Sequence, residues 1–496
     1  MSPDALPDMA HKRAEITPEA PGFTDAASGR VWGFADINRA ADAVAAALLH
    51  HGMNEGDRLA LLCLNRVEFF VLLFACQKTG IILCPLNWRQ PVPELLETLA
   101  PVRPRALIHD APHAGLAADL ARDTGLAVFS FDDLADWISS PAPPRNAPIP
   151  AERPWYLLFT SGTTGRPKAV IQTPRMAWAN AVNIGQAVAL TGADTSVNFL
   201  PLFHTAGINL YTLPLFLNGG HSTVLPRFEP ETILALIRAG KVTQFFGVPA
   251  IFQAFSLLPD VERIDWTTLR CGCGGAPLGE PLIRFFAARG CKVLNGFGMT
   301  ETGPTVFLMD AARVSDKTGS VGHAQMLTDV RLAGVPDGQP GEGEIEMRGP
   351  NITPGYFDNP EATRATFTED GWLRSGDIGR RDGEGYYFIV DRIKDMYVSG
   401  GENVYPAEVE RVLHSHPDVL EAAVVGVPDA KWGEVGEGFV IARPGTRLDP
   451  QALRPWCRAR LAGYKVPTRL HLVEDFPRTA AGKVRKSELR ARDAAD

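Results

Sequence analysis

An apolar run, Trp155 to Phe159, breaks directly into Thr160-Ser-Gly-Thr-Thr-Gly-Arg-Pro-Lys168. Such a sequence reads as a buried strand that delivers a loop to the edge of a sheet. Gly162 and Gly165 let backbone N–H groups converge on an anion. Thr160, Ser161, Thr163 and Thr164 add hydroxyl donors and Lys168 adds a positive charge. The spacing is not that of the common nucleotide loop, which needs Gly, four residues, then Gly-Lys-Ser/Thr. Here Lys168 stands three after Gly165 and Ala169 follows it, so a different nucleotide chemistry is expected. A Gly/Ser/Thr cluster alone is ordinarily a surface loop, and what lies elsewhere in the chain decides between the two.

The 496 residues exceed what one hydrophobic core serves, so two or more domains are expected. The formal charge of −8 argues against nucleic acid or an anionic membrane as the main partner. Seven cysteines include no Cys-x-x-Cys pair and no His spacing of zinc type, so reduced, buried thiols are expected, Cys271 and Cys273 included. No basic segment leads into an apolar core at the N-terminus, and the greasiest run, Phe69 to Cys76, is too short to span a bilayer. A cytoplasmic protein with no integral membrane segment follows as the expectation.

Helical and extended patterns alternate: a helix over Asp36 to His51, then strands at Arg58 to Cys63, Leu107 to His109, Ala127 to Phe131 and Val197 to Leu200. Six prolines between Ser139 and Pro154 mark an exposed linker. After about residue 340, Gly341 to Met347 and Arg380 to Val390 read as strands of a small β subdomain. Beyond Lys394 come a helix opened by Pro406, a strand Ala422 to Val427 and a helix after Pro450, enough for a separate domain.

Five further motifs follow the loop in order. Gly274-Gly-Ala-Pro277 places small residues where a flat base approaches the backbone. Asn295-Gly-Phe-Gly-Met-Thr-Glu301 joins an aromatic, a hydroxyl and a carboxylate. Ser375-Gly-Asp377 offers one carboxylate able to accept from two ribose hydroxyls. Asp391-Arg-Ile-Lys-Asp-Met396 leads into Ser399-Gly-Gly401, and Pro477-Arg-Thr-Ala-Ala-Gly-Lys-Val-Arg485 lies near the end. Taken together they resemble the adenylate-forming superfamily of acyl-CoA synthetases, luciferases and peptide-synthetase adenylation domains. The chain most resembles bacterial fatty-acyl-CoA and feruloyl-CoA (4-coumarate-type) ligases.

The resemblance implies an α/β fold: a large N-terminal AMP-binding domain, residues 1–393, of layered α/β subdomains plus a small β subdomain, and a small mobile α+β C-terminal domain, residues 394–496. It implies that Gly274, Gly275, Ala276, Asn295, Gly296, Phe297 and Gly298 hold the adenine, with Phe297 where the family usually has Tyr. Thr300 contacts the α-phosphate, Glu301 coordinates Mg²⁺, Asp377 takes the ribose, and Arg392 reaches ribose or phosphate. Lys394 is the hinge, Lys483 the lysine that enters for adenylation, and Gly400, Gly401, Trp432 and Lys465 face CoA. Asp391 replaces the usual glycine.

Phe203, His204, Phe246, Gly247 and Met299 resemble the lining of the acid pocket, with His204 as wall or gate. No Arg or Lys falls between Val197 and Leu225, which favours an apolar monocarboxylic acid, fatty or aryl, over malonate. The expected substrates are thus ATP, CoA and such an acid, with Mg²⁺ as cofactor. A carboxylate would attack the α-phosphorus, releasing pyrophosphate, and the acyl-adenylate would pass its acyl group to CoA. A standalone enzyme that loads a carrier protein is the alternative.

Overall fold

The computed structural model describes residues 4–161, 167–276, 278–479 and 482–493. Sheets with helices between them build most of the chain. The first sheet runs, edge to edge, Pro167–Gln172, Tyr156–Ser161, Ile82–Pro85, Arg58–Leu62, Ala106–His109 and Ala127–Ser130. Its neighbours are parallel except at the first pair, which is an antiparallel hairpin. A four-stranded sheet contains Thr195–Asn198, His221–Val224, Pro21–Asp25 and Val31–Gly33. A five-stranded one runs Gln244–Gly247, Arg270–Cys273, Val293–Gly298, Thr305–Leu308 and His323–Ala324.

The helix Val67–Thr79 explains the greasiest run: it is buried on nearly all sides. Phe69, Phe70 and Phe74 pack with Phe23, Phe216 and Trp155, each fully buried ring contributing on the order of 1.5–3 kcal/mol. No helix among the described residues is long and apolar enough to cross a membrane. The proline-rich stretch is exposed as far as Pro148. It then forms the short strand Ile149–Pro150 against Ala5–Leu6, because Ile149 and Ala151 find apolar cover. All seven cysteines are buried and unbridged.

The antiparallel sheet Asp329–Leu332, Gly341–Arg348, Leu373–Arg381 and Tyr387–Arg392 follows. The last sheet is centred on the long hairpin Val419–Asp429 and Gly433–Ala442, with Tyr397–Ser399, Glu402–Val404 and Arg469–Leu472 beside it. Apolar clusters on its two faces include Tyr397, Val409 and Leu453 on one, Phe439, Phe476 and Leu489 on the other. The helix Pro406–His414 has proline at its first turn, where no N–H is needed.

Candidate active site

The hairpin Tyr156–Ser161 and Pro167–Gln172 sets Thr160 directly opposite Lys168. Gly162, Thr163, Thr164 and Gly165, together with the side chain of Ser161, lie outside the described residues. The segment 353–357 runs beside this hairpin, Phe357 N–H donating to the Ala169 carbonyl and Ile171 N–H to that of Gly355. That register carries Tyr356 to the site: the Lys168 ammonium sits 4.8 Å from its ring centre, and its hydroxyl donates to Glu301 Oε1 at 2.8 Å.

Glu301 belongs to a short 3₁₀ turn, Thr300–Thr302, that ends the strand Val293–Gly298. Gln172 Nε2 donates to the Thr300 carbonyl at 2.9 Å, and Thr353 N–H to the Glu301 carbonyl at 2.8 Å. Burial pushes the Glu301 carboxyl up, and the Tyr356 hydrogen bond, Lys168 and Lys483 pull against it. Among the described residues no three His, Cys, Asp or Glu side chains gather into a metal cage. One carboxylate in a buried site suits Mg²⁺, which takes one or two carboxylates and completes its shell from phosphates and water.

The five-stranded sheet brings the small residues together. Gly247 lies opposite Cys273, and Cys273 opposite Asn295, which is buried. A Cβ on Gly274 would stand 3.1 Å from the Gly296 carbonyl oxygen, and one on Gly298 only 1.7 Å from that of Pro304. Gly298 therefore admits no side chain, and Gly274 only if its neighbours give by a few tenths of an ångström. Gly275 and Ala276 are exposed beyond the strand end. The Phe297 ring is half-buried, 6.0 Å from that of Phe307, and Met299 N–H donates to Thr302 Oγ1 at 2.9 Å.

Asp377 and Arg392 face each other across adjacent strands, Nε to Oδ1 3.6 Å. Burial raises the Asp377 carboxyl to about 6 although Arg392 and Lys483 oppose it. Lys483 arrives from the C-terminal segment through a tight turn in which Thr479 N–H donates to the Lys483 carbonyl at 2.7 Å. Arg478 fixes the turn by pairing with Glu421 at 2.7 Å. The Lys483 side chain extends to 4.0 Å, at Cε, from where Gly275 would carry a Cβ. Burial lowers its ammonium to about 8; Arg392 and Lys394 lower it further, while Asp377 and Glu301 raise it. Lys483, Glu301, Asp377, Arg392 and Lys394 therefore share one electrostatic neighbourhood.

The Phe203 and His204 rings lie 4.8 Å apart, tilted by 54°. Burial, with Lys483 and Arg89 nearby, holds the imidazole down at about 4, so it is neutral at ordinary pH, and its buried Nε2 has no hydrogen-bond partner among the described residues. Gly400, Gly401 and Trp432 lie together on the last sheet: Gly400 N–H donates to the Trp432 carbonyl at 2.8 Å, and a Cβ on Gly401 would meet nothing within 4 Å. Lys465 pairs with Glu408 at 2.7 Å.

Three side chains that no motif announces belong to this neighbourhood. Tyr356 and Gln172 hold Glu301 and Thr300. Arg89 lies 5.7 Å from the Phe203 ring, a cation that inspection of residues 197–225 alone passes over. The Gly355-Tyr356 pair just past a strand is the one sequence signal that points to Tyr356. Asp391, at the position of the usual glycine, accepts from Ala407 N–H at 2.7 Å and so caps the first turn of the helix Pro406–His414.

The family model described as "AMP-binding enzyme" matches residues 10–357, and that of the "AMP-binding enzyme C-terminal domain" matches 408–483. A feruloyl-CoA synthase of an Amycolatopsis species is 40% identical over 488 residues, 97% of each chain. The long-chain-fatty-acid–CoA ligase FadD13 of Mycobacterium tuberculosis is 35% identical over 495 residues, again 97% of each. Among solved structures, o-succinylbenzoate CoA synthetase from Bacillus subtilis with its acyl-adenylate intermediate superposes with a TM-score of 0.88 at 30% identity, covering 98% of both chains.

Proposed function

Since the chain belongs to the AMP-binding enzymes, we propose that it is an ATP-dependent acyl-CoA ligase: it joins an apolar carboxylic acid to CoA through an acyl-adenylate, releasing AMP and pyrophosphate. The observation that carries this reading is Lys483, a buried ammonium brought by the C-terminal segment into the space between Asp377, Glu301 and Gly275.

An acid attacking the α-phosphorus is itself anionic, and the transition state concentrates further negative charge there, so oriented cations and donors must already be in place. In this reading Lys483 and Lys168 bring that charge and Thr300 a hydroxyl. Asp377 accepts from the ribose hydroxyls with Arg392 beside it, and the glycines at 274, 275, 296 and 298 let adenine lie flat beside Phe297. Glu301 would hold Mg²⁺ together with the nucleotide's phosphates, and the ion would supply charge that neutralises them. The acid lies with its body against Phe203, His204, Phe246, Gly247 and Met299. Residues 394–496 then turn as a unit about Lys394, withdrawing Lys483 and bringing Gly400 and Gly401 to the acyl carbonyl for the thiol, with Trp432 and Lys465 toward the CoA nucleotide. Seven reduced, buried thiols suit a cytoplasmic setting.

The test is pyrophosphate release with ATP and Mg²⁺ over fatty, benzoic and cinnamic acids, with and without CoA. Sustained turnover only with CoA is expected; a single stoichiometric burst indifferent to CoA would indicate carrier loading instead. Lys483→Ala should lower adenylation by about 10²–10³ and spare thioester formation from supplied acyl-adenylate. Equal loss of both half-reactions would remove Lys483 from the role given to it.

A further inference from the structure

The strand Arg270–Cys273 and its extension present Gly272 and Gly274 to one face. The Phe246 ring covers both: a Cβ on Gly272 would stand 2.8 Å from its Cδ2, and one on Gly274 3.1 Å from its Cζ. Behind this cover the Tyr211 hydroxyl lies 2.8 Å from that same Gly272 Cβ position, its ring edge-on to Phe246 at 5.7 Å. The hydroxyl is buried and has no hydrogen-bond partner among the described residues, an arrangement that costs about 1–3 kcal/mol. The cavity that Tyr211 and Phe246 share with Ala206 and Leu210 measures only about 10 Å³, room for one water at most. Anything larger must turn the Phe246 ring aside.

We propose that Tyr211 reads the far end of the acid, donating a hydrogen bond to an oxygen substituent on an aryl ring that slides along the Gly274–Gly272 strip in place of the Phe246 ring. This rests on the acid site described above. The chemistry happens near Gly275, against which Lys483 packs, and Gly272 is three residues back, at most about 10 Å of extended chain. A phenylpropenoic acid spans that length from its carboxyl group to a para substituent, whereas a long alkyl chain overruns it. Burial pushes the Tyr211 phenol up, so it stays protonated and serves as a donor to a hydroxyl or an ether oxygen alike. Such acids are therefore the substrate class favoured over fatty acids.

The experiment compares kcat/KM for cinnamic and 4-hydroxycinnamic acids, with ATP and CoA saturating, in the wild type, Tyr211→Phe and Gly272→Ala, each ratio taken within one variant so that general losses cancel. The wild type should prefer the 4-hydroxy acid by about 10- to 100-fold, as sites built around a substrate hydroxyl do. Tyr211→Phe should bring the ratio to within about threefold, and Gly272→Ala, whose methyl fills the meeting point, should also collapse it. Removing an unpartnered hydroxyl should leave the melting temperature of Tyr211→Phe unchanged or higher. A wild-type ratio near one, a preference that survives Tyr211→Phe, or a melting temperature that falls would overturn the inference while leaving the ligase reading intact. Absence of turnover with every fatty, benzoic and cinnamic acid would remove both.

Discussion

Burial sets the charges of Asp377 and Lys483 against each other's needs. Asp377 is raised to about 6 and, in the role proposed for it, must be ionised to accept from a ribose; Lys483 is lowered to about 8 and, in its proposed role, must be protonated to meet a phosphate. Adenylation kcat/KM for ATP should therefore rise through about pH 6 and fall through about pH 8. Lys483→Arg, which keeps its proton throughout, should lose the alkaline limb. A profile of the arginine variant that still falls near pH 8 would assign that limb elsewhere. The same shifts bear on stability. The raised Asp377 makes a contribution that is fully present below its ordinary value of 3.8 and lost as pH rises through about 6. The lowered Lys483 does the reverse, its contribution appearing as pH rises through about 8 toward 10.5. The site thus weakens the fold most in the window in which it works. Tyr356 belongs to the same scale: Tyr356→Phe removes the one side-chain donor that Glu301 has among the described residues, and, if Glu301 holds Mg²⁺ as proposed, MgATP kcat/KM should drop about 10-fold or more, as when an outer-shell partner of a metal ligand is lost. No change in the Mg²⁺ dependence would show the hydrogen bond to be idle.

At the scale of elements, the turn after Val293–Gly298 is held by close backbone approach as well as by the side chains of Gln172, Thr302 and Tyr356. Gly298→Ala puts a methyl 1.7 Å from a carbonyl oxygen, and either the turn opens or the chain loses about 1–3 kcal/mol. A lowered melting temperature together with weakened ATP binding is expected, read by thermal denaturation with and without nucleotide; unchanged values for both would contradict the geometry. Elements of this kind are largely legible in sequence. The helix Phe34–His50 and the strands at Arg58–Leu62 and Gly341–Arg348 announce themselves by periodicity, and the motif residues at 160, 168, 274–275, 301, 377, 392 and 483 by their order. What escapes is whatever acts through a partner. Tyr356 and Gln172 reach Glu301 and Thr300 only because two segments far apart in sequence share a strand register, and Arg89 reaches Phe203 across more than a hundred residues. Asp391 reads as a departure from the usual glycine, and only the folded helix at 406–414 gives its carboxylate an occupation.

For the molecule as a whole, the cycle proposed above makes the position of residues 394–496 decide which half-reaction the site performs, and here Lys483 lies beside Gly275. Asp391 stands before the hinge lysine and grips Ala407 beyond it, so the contact spans the point about which we propose the unit turns. Replacing it with the glycine usual at that position removes a cap worth about 1 kcal/mol. Asp391→Gly should leave adenylation nearly unchanged and speed thioester formation from supplied acyl-adenylate by about fivefold, that energy expressed as a rate if release of the cap limits the turn. A slower thioester step would mean that Asp391 serves the second posture rather than the first.

The hydrogen bond from Ala407 to Asp391 thereby acts as a clasp on a spring-free joint. In the proposed cycle it holds the posture in which Lys483 lies in the site, so that ATP would meet the cationic arm already seated. In that cycle the clasp must open once pyrophosphate has gone, so that the thiol can reach the acyl carbonyl. An acyl-adenylate made in this way would wait behind its own lysine, sheltered from water for as long as one carboxylate keeps hold of one amide.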